Sequence, residues 1–539
     1  MALRVLLTLS ATAAASPRRK NVLMVISDDL RPELPCYGCD HVLAPRTTAL
    51  AQESITFTRA YAQQALCAPS RNSFLSGRRP AHTKSWQFVD DFREVGPDWT
   101  TLPGAFRKAG YQAVGCGKIF HPGLPPNQDL PYSWDQRMNL CRNQFPGTAR
   151  DSLFDFTGMN TTWAAWNNPN EPRCPQNTSW CSVEDTERFQ DTQIASTALE
   201  LLTNVTRDER PFFLAVGFRK PHVQWRAPTR AFEAYPHNVG LASRPKAPRS
   251  HVDLAFHVPV HEINVFEDWR ACGGAEALTP AHNYPPACQQ AWRRGYYAAV
   301  TFVDEQLGVV LDGLTARNRE RDTAVVFFGD HGWHLGDQGE WMKMTNFENG
   351  VRVPLLIRVP WAPQSAGKVM SAPIELVDLF PTLAGLAGVD VGYMARESQP
   401  LDGRDLSPLF FGGAGDDTHV ARSVYPRCVA NASAAWKHND CNDTPRRRFT
   451  HMGYSTRDER WRFTAWYEWS HLRLAPEGSP VAVELYDHAG DTGTCDGAGG
   501  SALEDYEWAN VAGDHASVVE AQLARLERLF GIDAPVTVY

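Results

Sequence analysis

The sequence predicts an α/β protein: a large, mostly parallel central sheet flanked by helices, with a smaller C-terminal subdomain built on an antiparallel sheet. Two observations carry this. Short apolar runs of strand length alternate along the chain with stripes of helical period. Past residue 450 the pattern changes to aromatic and polar residues in alternation. The predicted core strands are residues 21–27, 112–116, 212–217, 323–328 and 354–359, rich in Val, Ile and Phe as buried strands are. Between them, Ile194, Ala198, Leu201, Leu202 and Val205 share a helical face, as do Val300, Val303, Leu307, Leu311 and Leu314. Leu376, Leu379, Phe380, Leu383 and Leu386 form a third stripe, closed by Gly388 as a C-cap. The alternating segment, residues 451–488, carries Tyr454, Trp461, Phe463, Trp466, Leu485 and Tyr486, and Leu523, Leu526 and Leu529 mark a short terminal helix.

Four of the five core strands run into polar residues with chemical potential: Asp28-Asp29, then Lys118 and His121, then Lys220-Pro221-His222, then Asp330-His331. In open α/β sheets ligands bind beyond the carboxyl ends of the strands, so these distant residues are expected to converge. A solvated loop explains any one of them; it explains four at the same topological place poorly.

The bulk properties narrow the class. The chain has 539 residues and a net charge of −8, from 53 basic and 61 acidic side chains, which argues against a nucleic-acid binder. Residues 1–16 read as a secretory signal peptide: Arg4, an apolar run from Val5 to Leu9, then small residues with cleavage near Ala15. No later run is long enough for a membrane span. Five Asn-x-Ser/Thr sites, at Asn160, Asn177, Asn204, Asn431 and Asn442, and twelve cysteines fit the secretory pathway, with a lysosomal or extracellular destination. Candidate disulfides are Cys174–Cys181, Cys428–Cys441, Cys272–Cys288 and Cys36–Cys39, with Cys116 unpaired. Residues 17–427 are expected to form the catalytic domain, 428–450 a polar linker or surface excursion, and 451–539 the C-terminal subdomain. Residues 497–501 read as a flexible turn.

The most specific motif is Cys67-Ala68-Pro69-Ser70-Arg71, continuing to Leu75-Ser76-Gly77-Arg78. Pro69 suits the first turn of a helix, and a cysteine at a helix N-terminus faces backbone N–H groups that favour an anion. The motif resembles the C-x-P-S-R signature of the sulfatase family, with Ser76 where threonine is usual. Gly110-Tyr111 through Gly117-Lys118, Asp330-His331-Gly332, residues 375–388 and Glu484-Leu485-Tyr486-Asp487 are similar to further segments of that family. The longer stretches AYAQQALCAPSRNSFLSGRRP, GKIFHPG, FFLAVGFRKPH, GDHGWHLGDQGEWMKMTNF and HMGYSTR resemble the branch that removes 2-O-sulfate from terminal iduronate.

That resemblance implies an alkaline-phosphatase-like fold and a formylglycine, made from Cys67 by a formylglycine-generating enzyme, whose hydrated aldehyde attacks sulfur. It implies a calcium ion held by Asp28, Asp29, residue 67, Asp330 and His331. It also implies that Arg71, Lys118, His121, His222 and Lys343 surround the reaction centre, with His121 or His222 as the acid. Three carboxylates suit a hard cation, whereas His331 is a softer ligand than calcium normally takes and is equally suited to contact the nucleophile. Lys118, His222 and Lys343 are also expected to bind substrate. Trp333 is assigned either to stacking on the sugar or to packing. Arg446 to Arg448 are further cations for a substrate carboxylate. Met344, where relatives of the branch carry tyrosine, and the segment before His451 depart from the branch where sugar recognition is expected. Two other readings share these residues: a phosphonate or phosphodiester hydrolase of the same superfamily, and a catalytically silent binder of sulfated glycans.

Overall fold

The computed structural model describes residues 20–135, 174–184, 188–259, 263–396, 398–416, 418–428, 441–495 and 506–532. The predicted signal peptide, Asn160, Asn431 and the turn at 497–501 lie outside the described residues.

The large sheet is built from β1 (Asn21–Asp28), β2 (Ile55–Tyr61), β3 (Gln112–Gly117), β4 (Phe212–Pro221), β5 (Thr323–Gly329) and β6 (Arg352–Arg358), in the order β2-β6-β5-β1-β4-β3. Two-residue strands Val369–Met370 and Ile374–Glu375 add to β2. β1 lies centrally, its Met24 level with Ala215 of β4 on one side and Val326 of β5 on the other, both parallel. Val22 through Ile26 are fully buried, which explains the unbroken apolar run. β6 is the exception: it runs antiparallel to both β5 and β2. Its apolar composition predicts a buried strand but carries no information on direction. β2 is a strand not predicted above, and Ile55-Thr56-Phe57-Thr58 has the β-branched and aromatic content of one.

Helices α1 (Cys67–Ser76), α2 (Gln190–Val205), α3 (Pro286–Thr315) and α4 (Leu379–Ala387) flank the sheet; α2 and α3 pack on each other and on β4, and α4 packs on α1 and β1. The predicted stripes are the buried faces of α2, α3 and α4, and α4 ends at Gly388 in the left-handed conformation, φ 68°. No described helix is long and apolar enough to cross a membrane.

The smaller sheet is a four-stranded antiparallel meander: β7 (Ala421–Arg427), β8 (His451–Arg457), β9 (Trp461–Ser470) and β10 (Ala475–Asp487). Helix α5 (Ala516–Phe530) packs across β8 and β9. β7 precedes the polar stretch, so this sheet begins earlier in the chain than the aromatic alternation suggests. The return of that stretch is docked, with Phe449 buried against Trp86 and Trp469.

Three predicted disulfides are present: Cys174–Cys181, Cys272–Cys288 and Cys428–Cys441. The fourth is corrected. Cys39 bonds Cys495 across 456 residues, and Cys36 and Cys116 stand outside the disulfides. The Cys495 N–H donates to the Tyr37 carbonyl at 2.7 Å, which lays the C-terminal segment beside this turn. Asn177 and Asn204 are exposed, as glycan acceptors must be. Asn442 is not: it is buried, its Nδ2 turned toward the Met344 sulfur at 3.7 Å.

Candidate active site

The carboxyl edge of the large sheet gathers the polar strand ends. β1 delivers Asp28 and Asp29, β3 delivers Lys118, β4 delivers His222, and β5 delivers Asp330 and His331. β2 supplies the fifth element, since its end at Tyr61 feeds the short loop that opens α1 at Cys67. Two glycines allow the close approach behind Lys118. A Cβ on Gly217 would lie 1.9 Å from the Lys118 carbonyl oxygen, and one on Gly117, at φ 78°, 2.0 Å from that of Gly217. α1 is buried at all ten positions, so its polar residues face protein. Pro69 occupies its first turn, where a missing N–H costs nothing. Gly77 caps it at φ 70°, and a Cβ there would press on Leu401 and Phe380 at 2.7 and 2.8 Å.

Around the Cys67 sulfur lie Lys343 Nζ at 3.0 Å, His331 Nε2 at 3.3 Å, Asp28 Oδ1 at 3.4 Å and Asp29 Oδ1 at 4.0 Å. Lys118 Nζ pairs with Asp28 at 2.6 Å and Lys343 Nζ with Asp29 at 2.7 Å. Arg71 Nε binds Asp330 at 2.9 Å, and its Nη1 donates to the Ile119 carbonyl at 3.0 Å. Three carboxylates therefore face three cations in a buried volume.

The electrostatics follow from that balance. Burial works against the Asp28 charge, but Lys118 first, then His222, Arg71 and Lys343, hold it well below the usual carboxylate range. Asp29 differs: burial dominates, Lys343 only partly offsets it, and neighbouring Asp28 and Cys67 push the same way, to about 7. Asp29 also has φ 64°, a strained conformation for a residue with a side chain. Burial opposes the Lys343 charge, yet Asp29, Cys67, Asp28 and Asp330 raise it well above its ordinary value. Burial raises the Cys67 thiol, with Asp28 adding to the effect.

The donor set fits a metal ion. Asp28, Cys67, Asp330 and His331 bring ligand atoms within 4.8 Å of one another, as do Asp28, Asp29, Cys67 and His222. Asp29 Oδ2 is buried without a hydrogen-bond partner, a costly state that a cation relieves. His331 Nδ1 lies 2.9 Å from the Gly332 carbonyl, so that nitrogen carries the proton and Nε2 turns its lone pair inward. Burial lowers the His331 pKa, consistent with a neutral ring.

The two candidate acids differ. His222 is half-buried, its Nδ1 fixed by the Val223 carbonyl at 2.6 Å and its Nε2 4.0 Å from Asp29 Oδ2. His121 is buried beside Phe88, its Nδ1 3.1 Å from the Pro122 carbonyl, and it belongs to neither ligand group. Burial lowers both pKa values, with the Lys118 charge adding to the effect at His121. Trp333 is 1% exposed and lies beneath the Lys343 ammonium, 5.4 Å from ring centre to nitrogen, so it supports the lysine and presents no face to a sugar. Met344 is likewise buried, its sulfur 3.2 Å from His257 Nε2. Arg446 is committed to Glu94 and Asp90, at 3.0 and 3.5 Å. Neither the strand behind the Cys67 loop, β2, nor Arg427 was identified from sequence; the Arg427 guanidinium binds the Met344 carbonyl at 2.9 Å, and nothing in the local pattern SVYPR marks it.

The sulfatase family model matches residues 20–389, which span the large sheet and the residues that converge on Cys67. The chain belongs to the sulfatase family. This sulfatase is 33% identical over 522 residues to iduronate 2-sulfatase of Mus musculus, covering 86% of this chain and 88% of that protein. Against iduronate 2-sulfatase of Homo sapiens it is 33% identical over 516 residues, with the same coverages. Among solved structures, a phosphonate monoester hydrolase of Agrobacterium radiobacter superposes with TM-score 0.67 at 21% identity, over 95% of this chain and 96% of that one. A structure described as a 2-O GAG sulfatase superposes with TM-score 0.61 at 18% identity, over 95% and 92%. At such identities these structures establish the fold, which is alkaline-phosphatase-like. The sulfatase is thus a sulfuric ester hydrolase.

Proposed function

We propose that this sulfatase removes the 2-O-sulfate from a terminal iduronate or related uronic acid of a sulfated polysaccharide. The single observation that carries the site assignment is the convergence on Cys67 of Lys343, His331, Asp28 and Asp29 within 4.0 Å. The substrate class rests on the likeness to the two iduronate 2-sulfatases over most of both chains.

Oxidised to formylglycine, residue 67 would supply a hydrated aldehyde as nucleophile, and Asp28, Asp29, Asp330 and His331 would hold a calcium ion, which would supply Lewis acidity. The protein's own groups do the rest. Lys343 contacts the position-67 side chain and orients its reacting oxygen, for which Sγ stands in. Arg71 ties α1 to Asp330 and to the backbone after β3, which fixes residue 67 against the ligand set. Lys118 and Lys343 neutralise charge on the transferring sulfate, and such preorganised charge is usually the largest catalytic contribution. His222 is placed to protonate the leaving sugar oxygen: with Nδ1–H held by the Val223 carbonyl, Nε2 delivers a proton only from the imidazolium, which Asp28 favours and burial opposes, and the ring is less buried than that of His121. The α1 helix, buried throughout, keeps bulk water from the nucleophile's far side. The disulfides and the signal-like N-terminus support passage through the secretory pathway, where a formylglycine-generating enzyme would act, and a lysosomal or extracellular destination.

The test is sulfate release from a heparin-derived oligosaccharide ending in 2-O-sulfated iduronate, with Cys67→Ala alongside and an aryl phosphonate monoester as a competing substrate. Release by the native protein alone is expected. Formylglycine at position 67 without release would remove iduronate as substrate, and faster turnover of the phosphonate would favour the phosphonate hydrolase reading.

A further inference from the structure

Lys343 reaches the centre from an unusual piece of backbone. Both its neighbours, Met342 at φ 68° and Met344 at φ 80°, lie in the left-handed region without being glycine. Such a residue is strained and persists only where surrounding contacts fix it. On the N-terminal side the fixing is local: His334-Leu335 pairs with Trp341-Met342 as a minimal hairpin. On the C-terminal side it comes from far away. The Met344 N–H donates to the Ala65 carbonyl at 3.2 Å, and the Met344 carbonyl accepts from Arg427 Nη1 at 2.9 Å.

Arg427 is built for this task. It is fully buried at the end of β7, the first strand of the small sheet. Among the described residues no carboxylate lies within ion-pair distance of it. Its fork instead donates to backbone carbonyls: Nε to Leu254 at 2.7 Å, Nη2 to Ala255 at 3.1 Å, and Nη1 to Met344. The rings of Tyr425 and Trp466 lie 5.0 and 5.2 Å from its carbon, offering π-faces to the charge. A buried guanidinium spent on carbonyls holds main chain in place, which a lysine cannot reproduce in planar geometry. The same strand braces the other half of the centre. Ser423 Oγ donates to the Ala62 carbonyl at 2.8 Å and the Val424 N–H to the Gln63 carbonyl at 2.9 Å, both in the loop that delivers Cys67.

We infer that Arg427 is a positioning residue for sulfate hydrolysis: from the small sheet it fixes the Met344 carbonyl and thereby holds the Lys343 ammonium against residue 67. The inference rests on the reading of Lys343 as a cation of the reaction centre. It makes β7 part of the catalytic apparatus, bracing the nucleophile loop and the lysine loop at once.

The test is a double-mutant cycle on the full mature chain with 4-nitrocatechol sulfate as probe. Arg427→Gln is expected to lower kcat/KM by about 10²-fold, chiefly through kcat, as a misplaced catalytic group does. In a Lys343→Ala background the same change is expected to cost less than about threefold, because the group it positions is gone. Arg427→Lys, which keeps the charge and loses the fork, is expected to fall between. Equal losses in both backgrounds would overturn the inference, as would full activity of folded Arg427→Gln. Failure of both Arg427 variants to fold would make Arg427 a residue of the fold and overturn it too. Full activity of Lys343→Ala alone would instead show that the site reading beneath the inference is wrong.

Discussion

Removing the Lys118 ammonium separates a catalytic cation from a structural ion pair. Lys118→Met keeps the length of the side chain, and the backbone at 118 is held independently: its N–H donates to the Gly217 carbonyl at 2.8 Å, and its carbonyl accepts from Arg71. What disappears is one of three cations facing three carboxylates. At an effective dielectric near 20, a unit charge about 4 Å from another is worth ~4 kcal/mol. Loss of one preorganised group from a transition state costs about 2.7–4 kcal/mol, or 10²–10³-fold in kcat. The two figures agree, so kcat should fall by about that factor toward an aryl sulfate. Stability responds differently. Asp28, 2.6 Å from the lost nitrogen and fully buried, keeps only Arg71 Nη2 at 3.5 Å as a close cationic partner. A broken buried pair costs up to about 3–5 kcal/mol, less whatever Asp28 recovers by taking up a proton. Steady-state kinetics and calorimetry on the same preparation read both effects. A variant that melts several degrees lower yet keeps kcat within about threefold would refute the argument, since Lys118 would then serve the fold alone.

His222→Gln should lose about 10²–10⁴-fold in kcat on a sugar sulfate but far less on 4-nitrocatechol sulfate, whose leaving group needs little protonation; equal losses on both would move the acid role to His121. Cys67→Ser, its peptide checked by mass spectrometry, should be inactive wherever the serine is unconverted, and turnover by an unconverted serine would rule out the aldehyde chemistry. Glu33→Gln tests an acid-sensitive brace. Burial opposes the Glu33 charge, but Arg31, His41 and Arg293 bring its pKa down to about 2. A depressed carboxylate contributes stability above its unfolded pKa of about 4.3 and loses it as pH falls through the folded value. The variant should therefore be less stable by ~3 kcal/mol at neutral pH, with the gap closing toward pH ~2; a pH-independent gap in denaturant melts would contradict this. Cys495→Ser opens the cross-link to Cys39 and should cost about 2–5 kcal/mol by the same melts, with kcat little changed.

How much of this was legible in the sequence depends on what each feature needs. Strand interiors were readable because burial on both faces demands unbroken apolar runs, as in β1 and β5. The strand ends were readable because Asp28-Asp29, Lys118, His222 and Asp330-His331 interrupt such runs with groups that make no sense in a core. Direction was not: β6 is as apolar as its neighbours, and only its connection through the Lys343 loop makes it antiparallel. Long-range pairing was not either. Cys36 and Cys39 are three apart in sequence, and no local signal says that Cys39 instead meets Cys495. Trp333 was ambiguous because its sequence neighbours, Gly332 and His334, do not say whether the ring stacks on a sugar or packs, and only the fold brings Lys343 over it. Arg427 was invisible for a further reason: its partners are backbone carbonyls, which every residue carries.

A second buried cluster shows why residue type alone does not identify a metal centre. Glu348, His488 and Glu507 also bring ligand atoms within 4.8 Å of one another. Their charges are already spent. Glu348 pairs with Arg457 Nε at 3.3 Å and with Arg462, Glu507 with Arg462 Nε at 2.6 Å, and neighbouring Asp491 with Arg457 Nη2 at 3.0 Å. Tyr61 adds a hydrogen bond to Glu348 at 2.7 Å. No carboxylate oxygen of Glu348, Asp491 or Glu507 stands among the buried atoms lacking a partner, whereas Asp29 Oδ2 does. A dication entering this second cluster would face three arginines, Arg352, Arg457 and Arg462, and would have to displace them from their carboxylates. The cluster joins β2 and the start of β6 to β8 and β9 of the small sheet, so it acts as the ionic seam between the two sheets. The contrast assigns the roles. Where carboxylates are saturated by arginine, charge holds the halves of the molecule together. Where one oxygen is left open beside a lysine on strained backbone, charge is held ready for a ligand.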